Sequence, residues 1–299
     1  MFKGFKEGDV ISAVVMVKSV FEGTASNSNK YVKLVINDGS TDIDAFVWDL
    51  DIYDFTEGET VKLKAKISKF KGKMKLDVLS AEKTDQKIKL PSLPDDEMKD
   101  YTKRFEAICA EIKDEEYWQL LDDTISSVKD DFFKAPAAKQ NHQAYLGGLL
   151  EHSVHVAELC HGFYKQNPKN IDLSLLLCGA VLHDIGKIKA YTYETSIDRS
   201  TSGQLIEHIS IGLMILSRMI PQDFPMKKFY NICHMIVSHH GKREWGSPVC
   251  PLTKEAVLLH QADMIDSYSG RFDKIAEDNE GKEWSEFDMA YNRRWYLDK

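Results

Sequence analysis

Cysteine is scarce and poorly placed for either of its structural uses. The five cysteines (Cys109, Cys160, Cys178, Cys233, Cys250) are odd in number, widely spaced and contain no C-x-x-C pair. Neither a disulfide framework nor a cysteine zinc site is indicated, and they read as buried thiols in a reducing compartment. No apolar run approaches bilayer length, and Met1 to Asp9 lacks the apolar core of a signal peptide. A cytoplasmic, soluble protein without membrane association is expected. Excess positive charge is missing too: 39 Lys and Arg stand against 47 Asp and Glu, a formal net charge of -8. That argues against coating nucleic acid through bulk charge, so any such contact must be local.

What is present changes character along the chain. Residues 9–82 read as short strands between turn signals: Val10 to Val20, Tyr31 to Ile36, Thr41 to Trp48, Thr60 to Phe70 and Lys73 to Leu79. In Ile43 to Trp48, period two puts Ile43, Ala45 and Val47 on one face and Asp44, Phe46 and Trp48 on the other. Two large aromatics are more than a solvated face needs. Five short strands predict a small closed barrel of the oligonucleotide-binding (OB) type. Charge is sorted within it: Lys62 to Lys75 holds seven lysines and no acid, whereas Asp38 to Glu59 is acidic without lysine. Phe46 and Trp48, with Tyr31 and Phe70, are candidates for stacking unpaired bases, flanked by Lys69, Lys71 and Lys73. Alternating lysines also protect an edge strand, and aromatics also dock domains.

Thr84 to Asp96, with Pro91 and Pro94, reads as a linker. The expected organisation is a barrel over 1–83, a linker over 84–96 and an all-α domain over 97–299. Helical spacing predicts helices over Asp95–Ile112, Glu115–Lys134, Gln140–Tyr164, Asp172–Ile188, Gly203–Met219, Met226–His239 and Thr253–Asn279.

All ten histidines fall in this helical part, nine of them between His152 and His260. The sharpest feature is His183-Asp184, which ends the apolar run Leu175 to Leu182. Two polar groups there are costly to bury without partners, and a divalent ion satisfies both. An imidazole near helix-end carbonyls beside an ordinary acid is the other reading.

His152, His183-Asp184, His208, His239 and Asp263 occur in an order that resembles the HD-domain phosphohydrolases. The strings Asn141 to His152, His183-Asp184-Ile185-Gly186-Lys187, Glu207 to Gly212 and Ser238 to Pro248 resemble the YhaM-type 3′-to-5′ exoribonucleases, as does a barrel preceding the HD domain. The resemblance implies that His152, His183, Asp184 and Asp263 bind one metal ion, that His208 and His239 help hold a second, and that Asp184 bridges them. His240 is a further ligand or hydrogen-bonds to one. The implied cofactor is one or two divalent ions, manganese first, with cobalt, iron or zinc as alternatives. The implied partner is single-stranded RNA, with single-stranded DNA as the alternative, cleaved by a metal-activated hydroxide.

In this reading Asp184 and Lys187 are catalytic, Lys187 neutralising phosphate charge, although a helix-end cation is its plainer role. Lys242, Arg243 and His142 are candidates to touch substrate phosphate. His155, His161, His234 and His260 read as packing or surface residues, and Asp266 as an acid supporting a ligand. Three other functions compete: hydrolysis of small or cyclic nucleotides, di-iron oxygen chemistry, and nucleic-acid binding with a scaffolding HD domain.

Overall fold

The computed structural model describes residues 5–70, 73–139 and 143–298. Lys71 and His142, both proposed above as contacts to nucleic acid, lie outside these. The chain divides into two compact units: the first runs to Pro91 and takes in Tyr193–Asp198, and the second comprises Ser92–Thr192 and Arg199–Lys299.

The first unit is a closed five-stranded barrel. Strands β1 (Val10–Thr24), β2 (Lys30–Asn37), β3 (Asp42–Val47), β4 (Thr60–Phe70) and β5 (Lys73–Lys83) are ordered β1-β2-β3-β5-β4, with β4 closing on β1. Among the described strands of the barrel, β3 and β5 pair in parallel and the other neighbours antiparallel. This Greek-key closure is the OB topology expected from five alternating strands. Alternation places Val15, Val17, Leu34, Ile36, Ala45, Val47, Val61, Ala65 and Leu76 in the barrel core. Each Val, Leu or Ile buried this way is worth roughly 1.5–3 kcal/mol.

The second unit is helical: α1 (Asp95–Cys109), α2 (Glu115–Ser127), α3 (Lys129–Lys134), α4 (Gly148–Gln166), α5 (Leu173–Leu182), α6 (Lys187–Ala190), α7 (Thr201–Met219), α8 (Met226–Ser238) and α9 (Lys254–Asp278). Helix α5 is buried all round and packs against α2, α4, α8 and α9, as a uniformly apolar helix must.

Three of the expected helices differ from the structure by more than a few residues. The helix predicted from Gln140 begins at Gly148, because Gln143 and Gly147 hold positive φ values of 56° and 90°. The helix predicted over Glu115–Lys134 is broken at Val128, whose φ of -131° leaves the helical region. The helix predicted over Asp172–Ile188 stops at Leu182, and a turn carries His183 to Gly186 before α6.

Candidate metal centre and nucleic-acid face

Five elements converge on Asp184. His152 comes from α4, His183 caps α5, Asp184 follows it, His208 lies in α7, His239 caps α8, and Asp263 lies in α9. Gly186 lets this happen: a Cβ there would lie 1.9 Å from the carbonyl oxygen of His208, so only glycine brings the Asp184 turn onto α7. Glu207 interrupts α7 with φ 58° and ψ 161°, a strained conformation immediately before His208.

The two oxygens of Asp184 face different partners. Oδ2 lies 3.3 Å from His152 Nε2 and 3.4 Å from His183 Nε2. Oδ1 lies 3.4 Å from His208 Nε2 and 3.6 Å from His239 Nε2. Asp263 Oδ1 is 3.3 Å from His152 Nε2. Among the described residues two clusters have donor atoms close enough to share an ion: His152, His183 and Asp184, and His208, His239 and His240.

Asp184 Oδ1 and His208 Nε2 are both buried and neither makes a hydrogen bond. Orphaned buried polar atoms are costly, and a divalent ion satisfies a carboxylate oxygen and an imidazole nitrogen together. The residues present therefore fit a metal.

The far nitrogens are held as ligands require. His183 Nδ1 lies 2.7 Å from the Ala180 carbonyl, His239 Nδ1 2.6 Å from that of Ile236, and His240 Nδ1 3.0 Å from that of Trp245. His152 Nδ1 sits 2.7 Å from Asp266 Oδ2, whose Oδ1 is 2.9 Å from His155 Nδ1. Tyr101 Oη continues the chain, 3.0 Å from both His155 Nε2 and Glu151. His155 is thus more than packing; its place three residues after His152 was the available signal. His260 Nδ1 meets the His239 carbonyl at 2.8 Å.

Electrostatics are set by burial and by Asp184. Burial opposes charge on Asp184, yet Lys187, 2.5 Å away, and His183 hold its carboxyl well below the usual carboxylate range. Burial works against Lys187 as well, but Asp184 raises its pKa. His152 is raised despite burial, by Asp184, Asp263 and Asp266. His239 and His240 are lowered, chiefly by burial, which favours the neutral imidazole that can act as a ligand.

A cleft of about 800 Å³ opens on this cluster, lined also by Gln143, Tyr191, Arg199, Trp245, Tyr268, Arg271 and Tyr291. Lys187 reaches it; Lys242 and Arg243 are not in its wall. Lys242 instead lies over the Trp245 ring, 4.4 Å from its centroid, and 3.8 Å from Glu244. Gln143 lies inside the Asn141 to His152 string but is not singled out there, and nothing near Arg199 and Arg271 in the sequence marks them as chemical.

In the barrel, Tyr31, Phe46 and Trp48 form one ring cluster, with centroids 5.2–6.4 Å apart. Lys75 lies over Phe46 at 4.5 Å, and Asp77 anchors the group by accepting from Lys75 (2.7 Å), Ser68 (2.7 Å) and Trp48 Nε1 (3.4 Å). Phe70 is exposed in the outward row, paired in register with Lys73. Lys69 falls in the opposite row, in line with the buried Val61, Leu63, Ala65 and Ile67 and paired with the partly buried Met74. It therefore stands at the barrel rim, apart from the aromatic face.

Residues 149–268 match the HD domain. The chain is 28% identical to the 3′-5′ exoribonuclease YhaM of Listeria innocua over 294 residues, covering 94% of this chain and 93% of that protein. It is 28% identical to the protein of the same name from Bacillus subtilis, covering 97% and 95% of the two chains, and 29% identical to that of Geobacillus sp. WCH70, covering 98% and 93%. Among solved structures, the mitochondrial single-stranded DNA binding protein Rim1 of S. cerevisiae aligns with 26% of this chain and 97% of its own, with 19% identity and a TM-score of 0.23; the barrel assignment rests on strand order. With a match to the HD domain over the clustered candidate metal ligands and similarity along nearly all its length, the chain is a homologue of the YhaM 3′-5′ exoribonucleases.

Proposed function

We propose that this protein is a metal-dependent 3′-to-5′ exoribonuclease that shortens single-stranded RNA from its 3′ end by hydrolysing the terminal phosphodiester. The observation that carries the reading is Asp184, which turns one oxygen to each of two ligand clusters and leaves Oδ1, with His208 Nε2, buried and unsatisfied. His152, His183, Asp184 and Asp263 would hold one ion, and Asp184, His208, His239 and His240 the other. His240 joins the second group because its Nδ1 is occupied by a carbonyl, which leaves Nε2 for a metal.

When bound there, a pair of divalent ions, manganese first and cobalt, iron or zinc as alternatives, would supply an activated water and a counter-charge for the scissile phosphate. The protein's own part is to fix the ligands and exclude competing charge states. Asp266 holds the His152 ring, and Lys187 keeps Asp184 ionised while adding positive charge to the cleft. Arg199, paired with Glu207, and Arg271, paired with Asp288, also line the cleft wall.

The Tyr31, Phe46 and Trp48 face, with Lys75, holds unpaired bases by stacking, which tolerates any sequence. The choice of RNA over DNA follows the activity named for the relatives, and single-stranded DNA is the alternative ligand. The protein works in the cytoplasm, where its thiols stay reduced.

The test is to incubate the protein with manganese and a 5′-end-labelled single-stranded RNA beside an Asp184→Ala control. A ladder shortening from the 3′ end, absent with the variant, is the expected result. RNA left intact under manganese, cobalt, iron and zinc overturns the reading and directs attention to small nucleotides.

A further inference from the structure

Beyond α9 and beyond the HD match, residues 285–295 form a small pinned loop. Asp288 and Arg293 exchange backbone hydrogen bonds (2.8 and 3.2 Å), and Ser285 and Trp295 close the loop below them, each backbone N–H bonding the other residue at 2.9 Å. Asp288 is its hub. It accepts Nε and Nη2 of Arg271 at 3.1 Å each, Nε1 of Trp295 at 3.2 Å and the Ala290 amide at 3.0 Å. A bidentate guanidinium pair of this kind fixes position as well as charge.

The tip of the loop, Ala290, Tyr291 and Asn292, lies in the wall of the metal cleft. Tyr291 packs on Tyr268, ring centroids 4.2 Å apart and planes at 55°, and Trp295 backs both rings. Tyr268 and Arg271 are also in that wall, five and eight residues after the metal-ligand candidate Asp263, so roughly 7.5 and 12 Å further along α9. On the same wall, Gln143 spends its amide nitrogen on Asp266 (3.2 Å) and leaves Oε1 buried without a donor.

An aromatic shelf, rigidly held beside a phosphodiester site, together with an unmet hydrogen-bond acceptor, describes a receptor for a nucleoside: a planar base to lie on a ring and ribose hydroxyls to donate. We infer that Tyr291, set by the Asp288 hub and by Tyr268, receives the base of the terminal nucleotide while Gln143 Oε1 accepts from its ribose. Tyr291 is a specificity residue here and takes no part in the chemistry. The inference rests on the nuclease reading for the word terminal, but the pocket can be measured without it.

The experiment compares the binding of adenosine 5′-monophosphate and ribose 5-phosphate, by calorimetry with manganese present, in the wild type, Tyr291→Ala and Tyr291→Phe, and follows RNA shortening with the same samples. The wild type is expected to prefer the nucleotide by about tenfold, Tyr291→Phe to keep that preference and Tyr291→Ala to lose it. Ribose 5-phosphate should bind all three alike, which separates loss of a shelf from collapse of the site. No preference in the wild type, or a preference intact in Tyr291→Ala, overturns the inference. A preference that depends on Tyr291 in a protein that leaves RNA whole would sink the nuclease reading and keep the pocket.

Discussion

Lys187 Nζ stands 2.5 Å from Asp184 Oδ2, three residues away across the Gly186 turn, and both side chains are largely buried. Among the described residues paired with Asp184 the others are imidazoles, so this ammonium is the partner that compensates the carboxylate at neutral pH when no metal does.

Removing the carboxylate therefore has two separable effects. Asp184→Ala leaves a buried ammonium unpaired and should destabilise the metal-free protein by up to roughly 3 kcal/mol. Adding Lys187→Met should restore most of that stability and none of the hydrolysis. Chemical denaturation of the single and double variants tests this; equal loss in both would show that the pair is not the source.

Asp266 acts on metal through the His152 ring. Asp266→Ala is expected to weaken manganese binding by about 10–100-fold with the fold retained. His155→Ala, which removes one of the two other partners of that carboxylate and leaves Gln143 and His152 on it, should weaken it less. Isothermal titration with manganese measures both, and unchanged affinity in Asp266→Ala refutes the orienting role.

Two clusters predict two ions. Cobalt titration followed by elemental analysis should give two ions per chain in the wild type and one in the double variant His208→Ala, His240→Ala. A wild-type stoichiometry of one would leave the second cluster without its role.

The barrel face should control affinity and leave chemistry alone. Trp48→Ala is expected to weaken binding of a single-stranded RNA by about tenfold, since one stacked base is worth roughly 1–3 kcal/mol. Cleavage of a dinucleotide, too short to need the face, should be unchanged. Equal losses on both substrates would argue for a purely structural tryptophan.

Acidity should act with a defined sign. Burial opposes ionisation of Asp184, Asp263 and Asp266, but Lys187 and the imidazoles of His183, His152 and His155 outweigh it and hold all three low. Their contribution is present above the unfolded value, near pH 4, and is lost as pH falls through the folded values. His152 is raised, so its contribution is complete below about pH 6.5 and is lost as pH rises through its folded value. A metal on His152 competes with that proton. The gain in melting temperature on adding manganese should accordingly grow from pH 5 to pH 8, measured by calorimetry; a pH-independent gain contradicts the assignment.

Much of this was readable in one dimension. The alternation of Ile43 to Trp48 already separated Val47 from Phe46 and Trp48, because period two is a property of the strand itself. The same rule, carried along Thr60 to Phe70, would have separated Lys69 from Phe70. His183-Asp184 stood out because a polar pair at the end of an apolar helix needs partners wherever that helix goes. The start of α4 did not: Gln140 to Gly147 carries helical spacing, but the left-handed residues Gln143 and Gly147 interrupt it.

What the sequence determined by itself was the menu of elements, their inner and outer faces, and the residue types able to bind a metal, since these depend on neighbours a few positions apart. Tertiary structure alone decided that Asp266 would join His152 to His155, that Gly186 would seat Asp184 beside His208, and that a loop around Asp288 would carry Tyr291 into the cleft. Those pairings span tens to more than a hundred residues, and they are set by which buried surfaces pack together, a quantity no local pattern encodes.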